Sequence, residues 1–541
     1  MKSRVFLWIS LAVVGMAFFY QLIRVPLMQN TVWMSPDETA NAVSAMVFSE
    51  KTTFKLNWDF TDQFSWAHPR SFVPLAGQAA MVPIGFLGMP LILALFAKLF
   101  GIYGVLLFTP FLVMATLWAL YKSLPKDWSE TVKLLCLAIW LSFPTVILYS
   151  NRSAFAQLVV VCLAIWIWWL LNPLRFSLTK GDFNYLAIIT AGILCGLVGI
   201  IRPVELIWVL PVAACSYFVQ RTTYNVHRTT WYVIRSCLFF VVPFVLICLI
   251  GAIVGYKTYG QWFVSGYQIR TPVISVAQDA PAVRDVKDVA AVSVLDVLPF
   301  EFHPRNILWN MKNYYGIFLW PWTLVLVIAL GLWIYDLKKQ KTLLPKGAWG
   351  IFALAWTATF VLFFYGNGLY QDYFVPNRVS LGNSFLRYTL PLSVVLSISA
   401  GYVMVKLWKH WSLKALAVCL AVGLIAFGQW TATVRDDEGV VAVEQELARY
   451  SQIKNKMLTL QVRMDAILSE RSDKIFFPEF MAVSPMPDKQ SIKQLVDAGK
   501  VVGIFIRTQD QAGLADWKTA GLPLGYQFTS GNESLYIINF N

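Results

Sequence analysis

"LAGQAAMVPIGFLGMPLILALFAKLFG", Leu75–Gly101, is the segment on which the topology of this chain turns. It is apolar and long enough to cross a bilayer, for which a helix needs ~20 residues. If it crosses, every later loop changes side. Pro74, Pro83 and Pro90 interrupt it, and proline removes a helix donor and clashes with the preceding turn. We therefore read it as a broken or re-entrant segment at the outer interface, with a helical hairpin that spans twice as the alternative.

Outward from this segment the chain is a series of apolar blocks. Met1-Lys2-Ser3-Arg4 precedes Val5–Ile23, predicted as an uncleaved anchor with its basic end inside. After Leu75–Gly101 come Tyr103–Tyr121, Val132–Tyr149, Phe155–Leu171, Tyr185–Ile201, Val204–Phe218, Cys237–Gly255, Ile317–Tyr335, Trp349–Tyr365, Tyr388–Leu407 and Leu413–Trp430. With the anchor, that makes about eleven transmembrane helices. The loops holding Lys122 and Lys126, Arg175 and Lys180, Arg221 and Arg228, Lys338–Lys346, and Lys406–Lys414 are short and basic, hence cytoplasmic. The long segments Arg24–Pro74, Tyr256–Tyr315 and Gly366–Arg387, and the tail from Thr431, then face outward.

Composition excludes other classes. The chain is 57% hydrophobic and only 14% charged, where a soluble domain would carry roughly 25% charged residues. It is a polytopic membrane protein of helices, because at these block lengths only helices satisfy the backbone in lipid. The net charge of +14 follows the loop bias rather than nucleic acid binding, since no phosphate loop or basic-aromatic stripe is present. The seven cysteines lie in or beside apolar blocks and none has metal-site spacing. No cofactor is predicted.

The tail differs in pattern. Thr431 onward begins with a helical, charge-interleaved stretch, then has "KIFF" (Lys474–Phe477), "VVGIFIR" (Val501–Arg507) and "SLYIINF" (Ser534–Phe540) as short strands. Helix-like stretches at Ser491–Ala498 and Gln509–Ala520 separate them. The predicted division is a transmembrane domain, 1–430, with its first external loop at about 24–101, and a small α/β extracytoplasmic domain, 431–541.

The first external loop opens with "SPDETA", Ser35–Ala40. Ser35 is a good N-cap, Pro36 suits the first helical position, and Glu38, three residues after Ser35, completes a capping box. Asp37 is the residue that the cap does not require. Downstream stands His68-Pro69-Arg70, and late in the chain "NSFLRYTLPL", Asn383–Leu392. Arg202, between two apolar blocks, is costly there unless functional or paired with Glu205.

An Asp-Glu pair just after the first helix, a His-Pro motif, a segment ending "LFAKLFG" and an Arg387-Tyr388-x-x-Pro391 element together resemble the C-type (GT-C) membrane glycosyltransferases. The nearest in pattern are the protein O-mannosyltransferases and the lipid A aminoarabinose transferases. The chain departs from the common His-Pro-Pro by carrying Arg70. The resemblance implies a GT-C-like bundle with outer-face juxtamembrane helices. It implies transfer of a sugar from a polyprenyl-phosphate donor to a protein, lipid or glycan outside the cytoplasm, in the cell membrane. It makes Asp37 the general base, with Glu38 beside it. Arg387, with Tyr388, is the candidate for the donor phosphate, because a guanidinium holds phosphate with two hydrogen bonds. Arg202, His68, Arg70, Arg270, His303 and Arg305 are further candidates for contact with carrier or acceptor. No metal is assigned, since hard cations want more oxygen ligands than one acid pair offers. A transporter or lipid flippase, which leaves the acidic first loop and the α/β tail unexplained, and an O-antigen ligase or polymerase using diphosphate-linked donors, whose functional loop lies late in the chain, are the rival readings.

Overall fold

The computed structural model describes residues 2–28, 32–58, 60, 64–171, 185–223, 230–262, 264–269, 302–340, 348–370, 378–460, 464–507, 524–530 and 533–538. Arg270 and the predicted helix Gln509–Ala520 lie outside them.

The chain enters through α1 (Lys2–Met28) and then forms α2 (Pro36–Lys51), the helix that begins in "SPDETA". Strands β1 (Leu56–Asn57), β2 (Phe72–Pro74) and β3 (Ala80–Pro83) make a small antiparallel sheet in the order β1-β3-β2. Helix α3 (Gly88–Phe100) follows. Leu75–Gly101 is broken, as expected, and is not a spanning hairpin: its first part turns between β2 and β3 and forms β3, and its second is a single helix. At 13 residues, α3 is about 20 Å long, too short for a hydrocarbon core of ~30 Å. It buries Met89, Leu93 and Ala97 and exposes Leu95, Leu99 and Phe100, so it presents apolar side chains on both faces. Pro90 is tolerated because first-turn N–H groups have no intrahelical partner. Gly101, at φ +60, turns the chain directly into α4 (Ile102–Ser123). Gly104 brings α4 against the Phe96 carbonyl so closely that a Cβ would stand 2.2 Å from it.

Val132–Tyr149 is two helices rather than one, α5 (Glu130–Leu141) and α6 (Pro144–Asn151), bent by 57°. Pro144 accounts for the break, since it cannot continue the preceding helix. Every residue of α6 is buried. Its last residue, Asn151, repairs a second proline defect: beside Pro26 in α1, the Asn151 side chain accepts from the Val25 N–H at 3.0 Å and donates to the Gln21 carbonyl at 2.7 Å. The bundle continues with α7 (Ala156–Leu171), α8 (Tyr185–Ile201), a 3₁₀ turn at Pro203–Glu205, α9 (Leu206–Thr223) and α10 (Thr230–Tyr259). The described part of α10 exposes Leu238, Val242, Leu246 and Leu249, an apolar face suited to lipid.

Next come the short α11 (Gly266–Ile269) and α12 (Pro304–Asn310), then α13 (Trp320–Gln340) and α14 (Ala348–Gly366). The predicted helix at Tyr388 is also divided, into α15 (Ser384–Tyr388) and α16 (Leu392–Trp408), because Pro391 has no N–H to give. Helix α17 (Lys414–Trp430) completes the bundle. All eleven predicted apolar stretches are mainly helical in their described residues. Among the described residues four helices are long and apolar enough to cross a membrane, five if the bent α5–α6 pair counts as one. Six further apolar helices are 10–17 residues long.

Beyond the π-helical turn Thr431–Arg435, α18 (Val440–Thr459) leads into the C-terminal sheet. Its elements are β4 (Ala466–Ser469), α19 (Asp473–Phe476), β5 (Ala482–Val483), α20 (Lys489–Asp497), β6 (Val502–Arg507), β7 (Leu524–Ser530) and β8 (Glu533–Ile538). The order is β5-β4-β6-β8-β7, parallel about β4 and antiparallel from β6 onward. The strands predicted at Val501–Arg507 and Ser534–Phe540 are β6 and β8. "KIFF" is helical, not a strand: a four-residue apolar run carries no period that separates the two.

Candidate active site

The site begins with a helix cap. Ser35 is extended, at φ −141 and ψ 158, and its Oγ accepts the Glu38 N–H at 3.3 Å. Pro36 occupies the first turn, and the Thr39 N–H donates to the Ser35 carbonyl at 3.0 Å. With the helix start fixed, Asp37 and Glu38 diverge. The Asp37 side chain is 41% exposed and that of Glu38 2%.

Glu38 corrects one expectation. Its carboxylate pairs with Arg152, at 2.7 Å and 3.2 Å, instead of closing the capping box on Ser35. A buried guanidinium offers two charge-assisted bonds where the box offers one backbone N–H. Because both side chains are buried, Glu38→Gln is expected to destabilise the protein by about 3 kcal/mol, the cost of leaving a charge uncompensated. Glu38→Gln combined with Arg152→Met is expected to recover most of that loss. Thermal unfolding of the protein in detergent or nanodiscs checks both.

Asp37 meets a partner 350 positions away: Arg387 Nη1 donates to Asp37 Oδ2 at 3.0 Å. Arg387 stands on α15, whose N-cap Asn383 accepts the Phe385 N–H at 2.9 Å. Its other terminal nitrogen donates to Ser384 Oγ at 2.9 Å and Tyr388 Oη at 3.3 Å. The Phe155 ring lies 4.7 Å from the Arg387 guanidinium and 4.6 Å from that of Arg152. Two carboxylate–guanidinium pairs are thus set side by side against one aromatic ring.

Arg202 joins the same cluster through Tyr388. It caps the turn between α8 and α9, with Nε 3.1 Å from Glu205 Oε1 and Nη2 3.3 Å from Tyr365 Oη. Its guanidinium lies 5.0 Å from the Tyr388 ring, the same distance as that of Arg387. Tyr388 stacks on Tyr365 at 4.8 Å, and Tyr365 donates to Glu205 at 2.7 Å. Tyr267, on α11 and half exposed, also feels the site. The negative charge of Asp37 holds its phenol above the ordinary value.

The remaining predicted residues sit elsewhere. Arg70 is taken up by the C-terminal domain: its backbone N–H and guanidinium donate to Asp473 at 2.9, 3.0 and 2.6 Å, and to the Arg471 carbonyl at 2.7 Å. His68 is buried in the same seam, its carbonyl accepting the Ser484 N–H at 3.2 Å. A tight ion pair and a buried backbone contact hold both candidates to the C-terminal domain. His303 and Arg305 are exposed at the start of α12. Arg152, Glu205, Tyr365 and Ser384 were not anticipated as site residues, apart from the Arg202–Glu205 pairing. "NRS" at Asn151–Ser153, polar between two apolar stretches, was the one available signal for Arg152.

No protein-family model matches the sequence, and no curated protein matches it. Solved structures do. ArnT from Cupriavidus metallidurans bound to undecaprenyl phosphate superposes with a TM-score of 0.55 over 100% of this chain and 98% of its own, at 10% identity. Its apo state gives 0.55 over 100% and 99%, also at 10% identity. The oligosaccharyltransferase AglB from Archaeoglobus fulgidus, in complex with an inhibitory peptide and a dolichol-phosphate, gives 0.49 over 99% and 74%, at 10% identity. The match to ArnT runs over nearly the whole of both chains, so this chain shares the fold of that structure, which bears out the predicted mostly helical membrane architecture with sheet at its C-terminal end.

Proposed function

We propose that this chain is a membrane glycosyltransferase that moves a sugar from a polyprenyl-phosphate carrier to an acceptor outside the cytoplasm. The observation that carries the reading is the Asp37–Arg387 pair, an acid and a guanidinium brought to 3.0 Å from opposite ends of the bundle sequence. ArnT, the similar structure, was solved with undecaprenyl phosphate, which supports a lipid-phosphate donor here.

The chemistry needs little else. The carrier phosphate is already a good leaving group, so the protein has to supply a base for the acceptor and positive charge for the departing phosphate. Arg387 is the group for the phosphate, and its terminal nitrogens are pre-aimed by Ser384 and Tyr388. When a phosphate takes the guanidinium, Asp37 Oδ2 is released from it. The freed carboxylate then takes the acceptor proton as the acceptor attacks the anomeric carbon. A single displacement of this kind inverts that carbon. Arg202 adds positive charge behind Tyr388, partly balanced by Glu205. The basic-loop bias puts this end of the bundle, and the C-terminal domain, on the extracytoplasmic side. The acceptor is a protein, lipid or glycan, as the resemblance implies.

Incubation of the reconstituted protein with radiolabelled polyprenyl-monophosphate sugars is expected to consume at least one of them. Consumption confined to diphosphate-linked sugars would reject this reading in favour of a ligase or polymerase.

A further inference from the structure

Both partners of the Asp37–Arg387 pair are held by one body, the C-terminal domain with the helix that carries it. At the Asp37 end, Lys474 Nζ on α19 donates to the Met34 carbonyl at 2.7 Å. Met34 immediately precedes Ser35, the cap of the helix bearing Asp37. Burial first, then the Arg70 and Arg152 charges, push the Lys474 ammonium down to about 8, so it stays protonated at neutral pH in a place where positive charge is costly. The neighbouring carboxylate, Asp473, is already bonded to Arg70. The Tyr450 ring, 5.0 Å away, and Glu446 help to hold the ammonium there, and its hydrogen bond to the Met34 carbonyl fixes the chain just before the Ser35 cap.

At the Arg387 end, Asp436 Oδ2 accepts the Leu381 N–H at 3.2 Å, and Glu438 Oε2 accepts the Gly382 N–H at 3.1 Å. Glu438 donates its own N–H to Asp436 Oδ1 at 2.8 Å. A Cβ at Gly382 would lie 2.9 Å from the Glu438 carboxylate, so a larger residue there would push that carboxylate aside. Asn383, the next residue, caps the short helix that presents Arg387. Helix α18 joins the two ends: Glu438 stands at its head, and Tyr450, 5.0 Å from Lys474 Nζ, is about 15 Å further along.

We propose that α18 and the C-terminal domain form a strut that sets the spacing of Asp37 and Arg387, with Lys474 and Glu438 as positioning residues at its two ends. Its catalytic consequence rests on the transferase reading above. The strut makes turnover depend on a domain that contributes no reacting group.

The test uses the full chain in nanodiscs. Lys474→Met is expected to lower kcat about 10-fold or more, displacement of a reacting group being that costly, while KM for the donor changes by less than about twofold. Lys474→Arg, which keeps the charge and the donor, restores most of the rate. Independently of activity, hydrogen exchange at the Glu38 and Thr39 amides is expected to quicken about 10-fold in Lys474→Met, and at the Gly382 amide in Glu438→Ala, with β4 and β6 still protected. Unchanged exchange at those amides, or a rise spread evenly through the C-terminal sheet, overturns the strut, as does a full kcat in folded Lys474→Met. A wild-type protein that consumes no donor rejects the transferase reading alone, since the exchange result stands without it.

Discussion

Asp37→Asn is expected to lower turnover by about 10³-fold, within the range that a positioned general base contributes, while the protein still inserts, folds and binds donor. The substitution is nearly isosteric, and the asparagine Oδ1 can still accept from Arg387 Nη1. The Asp37 side chain is 41% exposed, so water reaches its place beside Arg387, which also keeps its bonds to Ser384 and Tyr388. Glu38 behaves in the opposite way, because its loss strands Arg152 in the interior. The two adjacent acids therefore separate cleanly: one variant loses rate with its melting temperature kept, the other loses melting temperature. Turnover and thermal unfolding of purified, lipid-reconstituted variants check this. Normal turnover in Asp37→Asn would reject Asp37 as the base.

Arg387→Ala is expected to weaken donor binding by about 2–5 kcal/mol, the cost of removing one side of a desolvated charge contact, or roughly 30-fold and upward in Kd. Arg387→Lys should recover only part of this. The guanidinium serves Asp37, Ser384 and Tyr388 from one plane, and an ammonium has no such fork. Titration with undecaprenyl phosphate reads the effect directly. A loss confined to acceptor affinity would assign Arg387 to the acceptor instead.

Much of the fold was legible because its determinants are local. Long apolar runs are helices wherever they occur, and β6 and β8 follow from runs of β-branched and aromatic residues. The cap at Ser35 is equally local: a hydroxyl, a proline and three residues of spacing suffice. Errors came where two local rules compete. Pro144 and Pro391 each divide a run that hydropathy joins, and Leu75–Gly101 holds a strand and a short helix under one apolar signal. "KIFF" is too short for either period to register.

The side-chain partners were less legible. Sequence alone singled out Asp37, as the acid its helix cap leaves over, and Arg387, as a charge heading a late helix. It also determined that both lie at helix ends beside apolar blocks. That they meet, that Glu38 instead takes Arg152, and that Arg70 serves the C-terminal domain rather than the cleft were decided only by the tertiary structure. Caps and periodicity act within a turn or two of chain, whereas an ion pair between positions 350 apart exists only once packing has brought two helix ends together.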